Sequence, residues 1–249
     1  VTTERVLITV RTYPTPSMTY RETVCAGGVN SAGEWRRLYP VMLRYLPREQ
    51  QFRAWDVIEA TLRPSRRDRR LETRRPHLPT LKRIDRLTGW PARCQWVQGT
   101  VVPSLQALVD EGRSIGAVAV QAVLDLEARK DESEWDPRRK ARLEERSLFE
   151  EPLPLERIPY QFRLRWRDED NAERLSLVIS WEMAQTWRNY RHRYDDPIDR
   201  IKEKLLGDLF SPRNRVAFFM GNHSRFRDTY MVAGWFIPPR EEADRERLF

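Results

Sequence analysis

The sequence predicts an α+β fold, with an N-terminal, mostly β module and a C-terminal β-β-α-α-β-β module. Three observations carry that expectation. Apolar and polar residues alternate in short runs over positions 5–62, helical spacing recurs between 181 and 210, and strands and helices come in groups rather than in strict alternation. Grouping of this kind disfavours a doubly wound parallel sheet. At 249 residues and 40% hydrophobic, the chain is large enough to bury one extensive core or two smaller ones.

The first strands are expected at 5–13 and 19–29, the second ending in the turn-rich Asn30, Ser31, Ala32 and Gly33. Residues 34–39 then continue as a hairpin partner. After a short helical turn around 41–45, Phe52, Ala54, Asp56, Ile58, Ala60 and Leu62 share one parity, marking a fourth strand. From strand count and spacing this module reads as a small barrel of the OB or PUA-like kind.

Ser104 is placed to cap a short helix over 104–111, and Val118, Val120, Leu124 and Leu126 share a parity that favours a strand, although the alanines there also permit a helix. Residues 127–151 are rich in charge, with one exposed helix expected at 138–148. The clearest strand follows, with Phe162, Leu164 and Trp166 on one face and Arg163, Arg165 and Arg167 on the other. A turn at 168–171 leads to its partner at 174–180. Trp181, Ala184, Trp187 and Tyr190 lie at helical spacing over 181–194, and a second helix starts at Pro197 and buries Ile198, Ile201, Leu205, Leu206 and Phe210. Strands at 216–220 and 230–237 precede a polar tail over 240–249. The expected organisation is a mostly β module at 1–128, a charged connector at 129–156 and an α+β module at 157–249.

Charge is the strongest functional signal. The chain holds 45 basic and 37 acidic residues, a net +8, and the stretch 63–93 alone carries eleven basic residues against three acidic ones, the same excess. A concentrated positive segment attracts polyanions far more than the same charge spread over a surface. Nearly all of it is arginine, whose planar fork matches phosphate. Pro64, Pro76, Pro79 and Pro91 make an exposed, partly extended loop the expected conformation. Around the first hairpin Trp35, Tyr39 and Tyr45 are interleaved with Arg36, Arg37 and Arg44, a mixture suited to stacking bases while holding phosphates. The candidate nucleic-acid contacts are therefore Trp35, Arg36, Arg37 and Tyr39 on the hairpin, Arg66, Arg67, Arg69, Arg70, Arg74 and Arg75 in the basic stretch, and Lys82 and Arg83 beyond it.

Enzymatic motifs are sparse. His77, His192 and His223 form no local metal pattern, and neither HExxH nor GxSxG occurs. Gly27-Gly28 lacks the Lys-Ser/Thr ending of a phosphate loop and reads better as a site of close packing. A metal-dependent nuclease would draw its carboxylates from Asp68, Glu72, Asp125, Glu127 and Glu182. Asp125 and Glu127 share one side of a strand, without the further lysine that a restriction-type motif would place on that side. Cys25 and Cys94 are too few for a disulfide framework. With no apolar stretch long enough to cross a bilayer and no leader-like start, a cytoplasmic address is expected.

Three segments form a set: VCAGGVNSAGEWRRLYP at 24–40, DRRLETRRP at 68–76, and the C-terminal Ser180-Trp181-Glu182 with FFMG at 218–221 and GWFIPP at 234–239. Together the chain resembles an uncharacterised family of bacterial and archaeal proteins, over most of its length. The resemblance implies no catalytic role, and Ser180 stands where an acidic residue is expected before Trp-Glu. The reading that results is a non-enzymatic nucleic-acid-binding subunit of a larger complex, with DNA or RNA and other proteins as partners, no membrane and no cofactor. Its alternatives are a metal-dependent nuclease and a scaffold that docks an acidic protein.

Overall fold

A computed structural model describes residues 1–145 and 151–245. The alternating runs of the first module close on themselves. Strand β1 (Thr2–Arg11) pairs antiparallel with β3 (Arg21–Asn30) and β5 (Asp56–Pro64), β3 pairs with β4 (Trp35–Val41), and β6 (Thr73–Pro76) joins β4 in parallel and β5 antiparallel. The ring β1-β3-β4-β6-β5 is a closed five-stranded barrel. Counted within the ring, the order 1-2-3-5-4 with strands three and five parallel is that of an OB-type barrel. Short β2 (Thr15–Ser17) adds to β3, and β7 (Lys82–Arg86) adds to β5 outside the ring.

Both faces of β1 are buried, which is why its centre reads Val-Leu-Ile-Thr-Val. Val6 and Ile8 point into the barrel with Val24, Leu38, Ile58 and Leu62, while Leu7 and Val10 belong to a second cluster with Ile115, Phe219 and Phe236. Barrel and C-terminal module therefore share a packed interface. Gly27 and Gly28 permit close packing on two sides: a Cβ on Gly28 would stand 1.8 Å from the Leu7 carbonyl oxygen on the neighbouring barrel strand, and one on Gly27 would stand 2.5 Å from the Ile115 side chain across the interface. Close packing, not phosphate cradling, accounts for the pair.

The chain leaves the barrel through α1 (Trp90–Val97), with Gly89 ahead of it and Pro91 in its first turn. Strands β8 (Val101–Val102) and β9 (Ile115–Val120) then join β13 (Val216–Asn222) and β14 (Tyr230–Phe236) in a four-stranded sheet, with α2 (Leu105–Asp110) between β8 and β9. Ser104 caps α2 as expected, its Oγ accepting from the Ala107 N–H at 3.1 Å. β10 (Ala122–Lys130), β11 (Tyr160–Arg167) and β12 (Glu173–Leu177) form a third sheet. The single strand expected from Val118 to Leu126 is thus two strands in different sheets, and Leu124 is exposed. Because β9 and β10 bond to C-terminal strands, residues 101–128 pack with the second half of the chain.

On β11 the expected faces hold. Phe162, Leu164 and Trp166 are buried, and Trp166 donates to Ser176 Oγ at 3.1 Å. On its opposite face Glu127 and Glu173 on the flanking strands pair with Arg165, and Glu173 also with Arg167, so two of the three arginines are neutralised. Helix α3 (Pro137–Glu144) begins where the connector helix was expected, whose far end at 146–148 lies outside the described residues. Helix α4 (Trp181–Tyr190) ends four residues early, and α5 (Pro197–Glu203) continues in a wider winding to Leu209. Helix α6 (Arg240–Arg245) follows β14, and the rest of the polar tail, 246–249, lies outside the described residues. No helix among the described residues is long and apolar enough to cross a membrane.

Candidate nucleic-acid interface

The basic stretch is less of a loop than its prolines suggest. Only 65–72 connects β5 to β6, and the remainder supplies β6, β7 and the start of α1. Asp68 organises that connection. Its carboxylate accepts from Arg70 Nε at 2.9 and 3.1 Å and from Thr73 Oγ1 at 3.2 Å, while its own N–H donates to Ser65 Oγ at 3.0 Å. Burial pushes the Asp68 carboxyl upward, but the hydrogen bonds and charge of Arg70 outweigh it and hold the group below the ordinary aspartate range. Arg70 also donates from Nη1 to the Asn222 carbonyl oxygen at 2.8 Å, fastening the loop to β13.

With the loop fixed, a cleft of about 1460 Å³ opens between one face of the barrel and β13–β14. Its walls come from β3 and β4, the segment joining β1 to β3, the β5–β6 loop, and the start of the β13–β14 loop. Eight arginines line it (37, 63, 66, 67, 69, 70, 75 and 227) against one carboxylate, Asp68, which Arg70 already engages. Arg63, Arg66, Arg67, Arg69, Arg75 and Arg227 form no ion pair with any described residue. Tyr20, Tyr39, His77 and His223 supply ring surface to the same walls. Three loops border the cleft, and each presents an exposed apolar side chain: Met18, Leu71 and Phe226. Phe226 is stacked on His223 with ring centroids 5.2 Å apart.

Of the expected contacts, Arg37, Tyr39, Arg66, Arg67, Arg69, Arg70 and Arg75 meet in this cleft. The others are placed differently. Trp35 is 4% exposed and packs edge-on against Phe219 at 5.8 Å, so it offers no face to a base. Arg36, on the opposite side of β4 from Arg37, is held by Glu4 at 2.7 Å and by Glu34. Arg70 is the fastening just described rather than a free cation. Arg74 donates to the carbonyl oxygens of Leu71 and Thr73 at 2.6 and 3.0 Å and does not line the cleft. Lys82 and Arg83 stand on β7, outside the barrel ring, and Arg83 lines a separate depression with Arg53 and Trp181. Arg44, beside the hairpin, donates from Nε to both oxygens of the buried Glu22 at 3.0 Å and from Nη1 to the Pro154 carbonyl oxygen at 2.6 Å.

The carboxylates considered for metal are dispersed. Glu72 accepts from the Ser114 N–H and Oγ at 2.8 and 2.6 Å, Asp125 pairs with Lys202, Glu127 with Arg129 and Arg165, and Glu182 with Arg11 at 2.9 Å. Among the described residues no three of His, Cys, Asp and Glu converge as a metal site would require. Sequence reasoning missed Cys25, Gly221, His223 and Arg227 as neighbours of the arginine cluster. FFMG at 218–221 was visible as a motif, but nothing local tied it to residues some 150 positions earlier.

Fold and cleft together define a class: a two-module α+β protein whose OB-type barrel presents an arginine-lined cleft to a second sheet. Residues 2–99 match the domain of unknown function DUF8758 and residues 101–249 match the domain of unknown function DUF8757. The second match covers more than half of the sequence, and the chain belongs to the DUF8757 family. The junction of the two matches falls where the chain passes from α1 to β8. No curated protein matches the sequence.

Proposed function

We propose that this protein is a non-enzymatic nucleic-acid-binding subunit, cytoplasmic and part of a larger assembly, and that the cleft is where the nucleic acid lies. The observation that carries the reading is the set of six arginines around one cleft that meet no carboxylate of the described residues. Like charges held together repel, and a polyanion relieves that repulsion while releasing its own counterions. A cleft of about 1460 Å³ exceeds the roughly 300–1,000 Å³ typical of small-ligand pockets, which favours a polymer segment. OB barrels bind oligonucleotides or oligosaccharides with their second and third strands and the loops joining strands one to two and four to five. The same elements line this cleft, an analogy of fold that supports the reading without carrying it.

Tyr20, Tyr39 and the His223–Phe226 pair add stacking surface beside the cations, the combination that single strands use. Fluorescence anisotropy with single- and double-stranded DNA and RNA, with and without chelator, tests the proposal. Single-stranded oligonucleotide binds, chelator changes nothing, and log Kd rises with log salt at a slope of about 4 for six contacts. A shallow slope, cleavage that needs a divalent cation, or equal binding of polyglutamate overturns it.

A further inference from the structure

Arg37 differs from the other arginines of the cleft. It is 4% exposed, yet no carboxylate of the described residues pairs with it. Nη2 donates to the Ser114 carbonyl oxygen and reaches Ser114 Oγ at 3.4 Å, Nη1 reaches only the Cys25 sulfur at 3.5 Å, and Nε has no acceptor. Sulfur is a weak acceptor, so Nη1 and Nε of a buried cation are left with little to bond. Glu72, whose main-chain oxygen accepts from the Arg37 N–H at 2.9 Å, approaches the guanidinium only through Ser114, whose N–H and Oγ donate to its carboxylate. A buried cation held this way is costly unless an anion completes it.

The cleft reaches this guanidinium. Gly221 on β13 also lines the cleft, and a Cβ built on it would lie 3.5 and 3.6 Å from the two Nη atoms and within 4 Å of nothing else outside its own chain neighbours. The absent side chain leaves the terminal nitrogens of Arg37 approachable. From this juxtaposition we infer that Arg37 and Gly221 form a seat for a terminal phosphate monoester of a nucleic-acid strand, with the exposed arginines holding the phosphodiesters that follow. A terminal phosphate carries more charge than an internal one, and it enters the base of a cleft without the strand having to leave again. The inference rests on the nucleic-acid reading and adds to it the kind of end that is recognised.

The test uses the whole chain and one short single-stranded oligonucleotide bearing a 5′-phosphate, a 3′-phosphate or hydroxyls at both ends. One phosphorylated end binds about tenfold more tightly than the hydroxyl-ended strand, as expected for a charge-assisted bidentate contact. Which end it is separates the two sources of the same chemistry. Equal affinity of all three overturns the terminal-phosphate seat and leaves the nucleic-acid reading standing, whereas no binding of any of them overturns that reading itself. Gly221→Val fills the space on a strand that accepts β-branched residues, and removes the end preference while the hydroxyl-ended strand still binds. Arg37→Lys keeps the charge, loses the fork and also removes the end preference. Full preference retained in Gly221→Val overturns the proposal even if Arg37→Lys fails to fold.

Discussion

Arg63 on β5 and Arg75 on β6 are direct cross-strand partners, and neither meets a carboxylate among the described residues. Like charges placed opposite each other weaken a sheet by a few tenths of a kcal/mol to about 1 kcal/mol. Arg75→Glu turns the repulsive pair into an attractive one. Without nucleic acid and at low salt the variant melts about 1–3 °C higher, given about 2–4 °C per kcal/mol for a chain of this size, and it binds oligonucleotide at least tenfold more weakly. A lower melting temperature with unchanged affinity would show that the pair is neither strained nor used.

Salt dependence separates the arginines that line the cleft from those that structure the barrel. Arg66→Ala, Arg67→Ala and Arg69→Ala each lower the salt slope of binding by about 0.7, the share of one phosphate contact on a single strand. Arg36→Ala leaves the slope unchanged, because Glu4 and Glu34 already hold Arg36. Titration of the four variants over a range of salt reads this directly. A fall in slope for Arg36→Ala equal to that for Arg67→Ala contradicts the placement of the cleft.

Trp35 stabilises the junction of the modules. Trp35→Ala removes its packing on Phe219 and costs about 3–5 kcal/mol of unfolding free energy, whereas Trp35→Phe retains oligonucleotide binding within about twofold. Chemical denaturation and anisotropy measure the two effects. Loss of binding in a Trp35→Phe protein of wild-type stability would return Trp35 to the interface.

Asp68 sets how the β5–β6 loop responds to acid. Its folded-state pKa lies below the ordinary 3.8, so the stability it contributes is fully present above 3.8 and is lost as pH falls through the lowered value. Loop protection in hydrogen exchange is accordingly the same at pH 7 and pH 5. Asp68→Asn removes the charge that engages Arg70 and speeds tryptic cleavage at Arg66, Arg67 and Arg69 at neutral pH. Unchanged cleavage would mean that the loop is ordered without this pair.

Much of the barrel was legible because its strands obey a local rule. Alternation toward Leu62 and the turn at Asn30 to Gly33 are short-range signals that hold in the structure, although the strand starts at Asp56 and Phe52 to Trp55 precede it. β6 and β7 were hidden because basic residues dominate them and Pro76 and Pro79 interrupt the stretch, a composition that on its own marks a loop. They are strands because β4 and β5 supply hydrogen-bonding edges. The split of Val118 to Leu126 between two sheets was equally invisible, since parity does not record which partner a strand will find.

The candidate site shows the same division. Which stretch carries the charge was readable by counting, but the separation of free cations from neutralised ones was not. Arg36 and Arg37 are neighbours on one strand and point to opposite faces; Glu4 meets the first, and the second is buried beside Ser114 and Gly221. Composition and periodicity therefore determined the α+β class, four of the five barrel strands and the location of the excess charge, all of which depend on near neighbours in the chain. Tertiary structure decided which guanidinium groups remain available and what faces them, because carboxylates and strand partners arrive from positions as far as 171 residues away and electrostatics depends on distance in space.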